Sequence, residues 1–184
     1  MKRLFILLGA LPLAAVAVEY NSVQFDQSRV GFVSKQMGVA VDGGFKKFSA
    51  QVALDPAKPE AGRAQIDIDL SSVDTGSTDA DDEVKSKSWF NVREFPSARF
   101  VATGVKSLGN GRYEAKGQMS IKGRTREIVA PFTYKIVGAS AVFEGSLPIQ
   151  RLQYGIGEGV WSDTATVADE VLVKFRFTVA AGRK

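Results

Sequence analysis

Four acidic side chains stand close together at Asp79, Asp81, Asp82 and Glu83, and the large aromatics Trp89, Phe90 and Phe95 follow. Such a cluster can ligate calcium, work as an acid and base pair, or open a helix. A calcium loop of the EF-hand kind starting at Asp79 needs glycine at its sixth position and glutamate at its twelfth. Val84 and Phe90 stand there, and a start at Asp74 puts Lys85 at the twelfth position. Glycoside hydrolysis needs one carboxyl group with a raised pKa. Here Lys85 and Lys87 stand beside the acids, on a segment of exposed character. The chain has no histidine and no cysteine, which removes the commonest base, nucleophile and zinc ligands. No serine or threonine has a lysine or carboxylate partner at a telling spacing. The sequence therefore reads as non-enzymatic, with no catalytic residues, no metal and no cofactor.

The helical reading accounts for these residues best. Thr78 or Asp79 caps an N-terminus, and the acids fall in a first turn where the helix dipole favours them. Asp81 with Lys85, and Glu83 with Lys87, are spaced i,i+4 in the favourable orientation. The aromatics come next, then Pro96. This predicts a short helix with an aromatic end, placed between strands where it can cover an opening.

The N-terminus reports on location. Lys2 and Arg3 precede an apolar run from Leu4 to Ala14, and Ala15-Val16-Ala17 supplies small residues for cleavage. Residues 1–17 read as a signal peptide, too short in its apolar run to span a bilayer. Removing 17 of 184 residues leaves 167, residues 18–184, which suit one domain. Formal charge falls from +4 to +2 with the loss of Lys2 and Arg3. The remaining cations alternate with acids and apolar residues, which speaks against nucleic acid. Without cysteine the domain has neither disulfides nor a thiol for a lipid anchor. The expectation is a soluble periplasmic protein with no stable membrane insertion. A homodimer stays open.

The rest of the chain alternates with period two. Val171, Val173, Phe175, Phe177 and Val179 share one face of a strand, with Lys174, Arg176 and Thr178 on the other. The stretches 48–55, 63–70, 112–121 and 141–149 repeat the pattern. Asn110-Gly111 is a strong hairpin turn, and Lys122-Gly123 and Val137-Gly138 are further tight connections. Gly155 to Gly159 reads as a sharp bend. Pro131 predicts an edge or a bulge. The expected fold is all-β, an eight-stranded antiparallel barrel with a short helical lid segment. Large inward residues alternate with small ones (Ala50, Ala64, Ala98, Ala102, Ala115, Gly117, Ala130, Gly145), which fits a cavity and a tapered packed barrel equally well.

Five pieces, in order, resemble the YceI-like family of exported bacterial proteins: Ser28–Val39, Gly43–Pro56, Ser71–Ser107, Tyr113–Phe132 and Tyr154–Phe177. The resemblance implies a lipocalin-like barrel whose elongated cavity binds an amphiphile, typically an isoprenoid such as a quinone. Gln36 stands where many family members have histidine, and Ser88 and Asn91 replace acids common around the aromatic pair. On this reading the ligand-binding wall and lid comprise Phe32, Phe45, Phe48, Trp89, Phe90, Phe95, Phe100, Phe132, Phe143 and Trp161. The function expected is periplasmic carriage of a hydrophobic small molecule. The alternative is a packed-barrel interaction or stress-related protein without a lipid, acting through a surface such as the basic turn Lys122, Arg124 and Arg126.

Overall fold

The computed structural model describes residues 19–182. The signal-peptide assignment to residues 1–17 lies outside them. Ten strand segments form one antiparallel sheet: β1 (Tyr20–Gln36), β2 (Val39–Phe45), β3 (Phe48–Ala53), β4 (Arg63–Asp69), β5 (Val73–Asp74), β6 (Ser97–Gly109), β7 (Arg112–Ile121), β8 (Arg124–Val137), β9 (Ser140–Gln150) and β10 (Glu170–Ala181). Only Lys46 and Lys47 separate β2 from β3, and one 3₁₀ turn, Leu70–Ser72, separates β4 from β5. The chain therefore makes eight passes, two of them interrupted.

The passes close on themselves. The ladder runs β3-β4-β6-β7-β8-β9-β10-β1-β2-β5, and β3 at one end is the continuation of β2 near the other. A reciprocal backbone pair completes the ring: Tyr20 N–H donates to the Leu54 carbonyl at 3.1 Å, and Leu54 N–H to the Tyr20 carbonyl at 3.2 Å. Closure leaves almost no free edge, which is how an all-β protein avoids pairing with other chains.

Local chemistry sets the register. Asn110 and Gly111 adopt φ of 53° and 70°, and Lys122 and Gly123 adopt 48° and 72°, the positive pair that type I′ hairpins need. Met37 and Gly38 make a third such turn, joining β1 to β2. Pro131 stands where the β8–β9 ladder stops, since that ladder runs only from Phe132 to Val137. The earlier half of β8 is met instead by the 3₁₀ turn Arg151–Tyr154: Arg124 Nη1 donates to the Leu152 carbonyl and Arg126 Nε to that of Gln153.

The alternation of large and small inward residues has a specific cause. On three strand pairs an aromatic ring lies against a glycine: Phe32 against Gly43, Phe100 against Gly117 and Phe175 against Gly145. A Cβ on Gly43 would come within 2.6 Å of Phe32 Cε2, one on Gly117 as close to Phe100 Cε2, and one on Gly145 as close to Phe175 Cζ. The glycines let the rings fold back against the wall instead of projecting across the axis, an aromatic cover of glycine that also pins register.

The three glycines differ in what else they meet. The three atoms nearest a Cβ on Gly43 all belong to the Phe32 ring, whereas one on Gly145 also strikes the Pro131 carbonyl. Gly145→Ala should destabilise the barrel by about 1–3 kcal/mol, and Gly43→Ala by clearly less, because Phe32 can swing inward while a backbone carbonyl cannot. Urea unfolding of both variants checks the order.

Candidate ligand cavity

Inside the barrel lies an elongated cavity of about 600 Å³, within the size range of small-molecule sites. Its walls are the inward stripes already described: Val30 and Phe32 on β1, Ile66 and Ile68 on β4, Ala115 and Met119 on β7, Ala130 and Phe132 on β8, Leu147 and Ile149 on β9, and Val173 and Phe175 on β10. Leu54, Val105 and Phe143 bound it at one end. Beyond them Tyr20, Tyr113 and Tyr134 form an aromatic floor, with Tyr134 edge-on to the other two at 5.9 and 6.1 Å. Burial, and then the neighbouring Tyr20 hydroxyl, push the Tyr134 phenol well above its ordinary pKa. It stays neutral and serves the floor as an apolar ring.

The other end carries the lid. Helix α1 (Thr78–Lys85) is capped by Ser77, one position before the predicted cap, and without a side-chain capping bond. Asp81 instead ties the chain ahead of the helix to its first turns. Its carboxylate accepts from the Thr75 N–H and from the Thr75 hydroxyl, each at 2.7 Å, and these bonds hold its pKa below the usual carboxylate value. The expected Asp81–Lys85 and Glu83–Lys87 pairs do not form: Lys85 pairs with Asp82, and Lys87 lies beyond the helix end. The helix turns Asp79, Ala80, Glu83 and Val84 towards the cavity, one face at i, i+1, i+4 and i+5.

Trp89 follows and packs on Trp161 at 5.6 Å between ring centroids. Behind this pair stands Arg151, only 1% exposed. Its guanidinium gives five hydrogen bonds to backbone carbonyls: Nε to Ala168, Nη1 to Ile156 and Gly157, and Nη2 to Trp161 and Val167. It also lies 5.5 Å from the Trp89 ring. Arginine offers five donors and no acceptor, so every donor here is used. Burial pulls its pKa below the usual value, and the Asp169 charge opposes that. The residue binds the loop 155–168 into one piece. Gly155, Gly157 and Gly159 all take positive φ, which gives the predicted bend its sharpness.

A second clamp fastens that loop to the β7–β8 turn. Lys122 Nζ donates to the carbonyls of Lys87 and Gly155 and to Glu158 Oε2, at 3.0, 2.6 and 3.1 Å, and Arg124 reaches Glu158 Oε1 at 3.2 Å. Arg126 sits 6.0 Å above the ring of Tyr154. Each cation of the basic turn thus has a partner within the molecule, Lys122 buried and Arg124 and Arg126 still exposed.

Of the ten residues singled out from sequence, Phe32, Phe45, Trp89, Phe90, Phe100, Phe132, Phe143 and Trp161 line the cavity. Phe48 and Phe95 do not. Phe48 packs between Phe25 and Phe177, at 5.7 and 5.9 Å, in the core around Val179. Phe95 lies against Gly123 of the β7–β8 turn, where a Cβ would come 2.9 Å from its Cε1. Period-two alternation says which face a residue takes but not how far along the barrel axis it sits. Arg151, Asp79 and Glu83 were missed. An arginine between Gln150 and Leu152 carries no signal in sequence, and acids in a first helical turn read as solvated.

Among the described residues no group of three or more acidic, histidine or cysteine side chains is placed to hold a metal. No helix among them is long and apolar enough to cross a membrane.

The YceI-like domain description matches residues 21–179. A UPF0312 protein of Shewanella denitrificans is 33% identical over 189 aligned positions, covering 91% of this chain and 94% of its own. The crystal structure of Burkholderia cenocepacia BcnA superposes with a TM-score of 0.84 at 43% identity, over 85% of this chain and 99% of that one. A polyisoprenoid binding domain from Saccharophagus degradans shares the fold, with a TM-score of 0.70 at 18% identity, over 89% and 99% of the two chains. The chain belongs to the YceI-like family.

Two outcomes follow for the lid. Arg151→Met leaves five carbonyls without their donors and should cost about 3–5 kcal/mol, with a red shift of tryptophan emission as the Trp89–Trp161 pair loosens. Glu158, held below the ordinary 4.5 first by the Lys122 hydrogen bond, supports the clamp fully above that value. The support is lost as pH falls through the depressed pKa, and Glu158→Gln should abolish this acid-side change in tryptophan emission.

Proposed function

We propose that this YceI-like barrel is an exported, periplasmic carrier that shelters a hydrophobic amphiphile, an isoprenoid lipid or a quinone, and catalyses no reaction. The observation that carries this reading is the apolar cavity running from the Trp89–Trp161 lid to Leu54 and Val105. Each buried CH₂ contributes roughly 0.8 kcal/mol, so an apolar tail gains steadily with the length it inserts. The basic start and apolar run at residues 1–17 support export, and an aqueous compartment gives such a shelter its use. The contacts that Lys122, Arg124 and Arg126 make with residues 153–158 favour the cavity over that turn as the working site.

The protein's two tryptophans both stand at the lid, so they report occupancy directly. A short-chain quinone should quench them saturably. Ala115→Phe, which fills the inner end of the cavity between Val105 and Ala130, should weaken that quenching at least about tenfold while shifting the urea midpoint little. Equal losses of binding and stability would make Ala115 an ordinary core residue and would count against a carrier.

A further inference from the structure

The lid end of the cavity is not apolar throughout, and the charges there without an ion-pair or hydrogen-bonded carbonyl partner are acidic. Ser34 and Gln36 on β1, Thr75 after β5, and Asp79 and Glu83 on α1 line it together with the aromatics. The two carboxylates are one helical turn apart on the face that looks inward. Neither forms an ion pair among the described residues, whereas Asp74 pairs with Lys46 and Asp82 with Lys85.

Lys122 and Arg124 are both spent on Glu158. Lys35 alternates to the outer face, between the inward Ser34 and Gln36. Arg151 lines the cavity, but its five donors all point to backbone carbonyls and its face lies on Trp89. Of the other basic residues that line the cavity, Arg99 is paired with Asp67, and Arg63 opens β4 opposite Ala53, at the end far from the helix. Among the residues that line this mouth, a phosphate would meet two unpaired carboxylates and no unengaged guanidinium or ammonium.

Resting on the carrier reading, we propose that the mouth selects the head group of the ligand: Asp79 and Glu83 exclude phosphate, diphosphate and carboxylate heads and admit uncharged or cationic ones. The mechanism is electrostatic rejection. Like charges a few ångströms apart repel, and beside the low-dielectric wall of the cavity they are screened less than in bulk water. Rejecting the wrong ligand by an unpaired charge is a general route to specificity. Ser34, Gln36 and Thr75 can exchange hydrogen bonds with a hydroxyl or a carbonyl oxygen, so a neutral head is not left unsatisfied. The apolar tail is common to accepted and rejected ligands, so discrimination rests on the rim alone. Because the rim meets solvent, the discrimination should shrink as salt is added.

The test compares ligands with one tail and different heads: geranylgeraniol, geranylgeranylamine and geranylgeranyl diphosphate, each titrated against tryptophan emission in the mature protein. The alcohol and the amine should bind at least about tenfold tighter than the diphosphate. In Asp79→Asn/Glu83→Gln the diphosphate should gain about tenfold, a gain that a damaged fold cannot produce. The charge-matched pair Glu127→Gln/Glu144→Gln, on the outer wall, should leave the ratio as in the parent protein. Diphosphate binding as tight as alcohol in the parent, or a ratio unmoved by the rim variant, would overturn the head-group inference while the carrier reading stood. Failure of all three compounds to bind would overturn both.

Discussion

The antiparallel hydrogen-bond ladder that runs round from β3 to β2, and closes through Tyr20 and Leu54, fixes the diameter of this molecule before any side chain is placed. Inward residues must then share whatever volume the ring encloses. An eight-pass barrel leaves room either for a filled interior or for one small ligand. Here the choice is made by Gly43, Gly117 and Gly145, which let Phe32, Phe100 and Phe175 lie against the wall. The rings line the lumen without crossing it. Because the ladder resists collapse, the space they vacate persists as a cavity of about 600 Å³.

The two ends of the barrel solve different problems. The floor is aromatic and neutral, with burial pushing the Tyr134 phenol well above its ordinary pKa. The lid is made of irregular chain, whose backbone groups need partners that no ladder supplies. Arg151 provides five of them from one side chain, and Lys122 adds two more carbonyl contacts at the β7–β8 turn. Cations thus serve the lid from behind its wall, while the acids Asp79 and Glu83 face the opening. That separation of sign gives the cavity a polarity that its apolar walls alone would not have.

Much of this was legible in the chain. Strand faces followed from alternation, and the β7 span was read to the residue at Arg112–Ile121. Turns at Asn110-Gly111 and Lys122-Gly123 followed from the need for positive φ. The ladder shows ten segments where eight strands were expected, because Lys46-Lys47 and Leu70–Ser72 interrupt two passes that remain continuous in space. Axial position was not legible. Phe48 and Phe95 have the right character and the right neighbours in sequence, yet lie in the packed core and at an outer turn. The role of Arg151 was hidden for a different reason: its partners are carbonyls of residues 156–168, which have no side-chain signature.

The central claim is that the cavity holds an apolar guest. Native mass spectrometry of the mature protein isolated from the cells that make it, followed by solvent extraction, tests this most directly. A stoichiometric adduct that extracts as a long-chain isoprenoid or quinone is the result expected. A bare polypeptide mass, joined to a failure of apolar fluorescent probes to enter the purified protein, would contradict it.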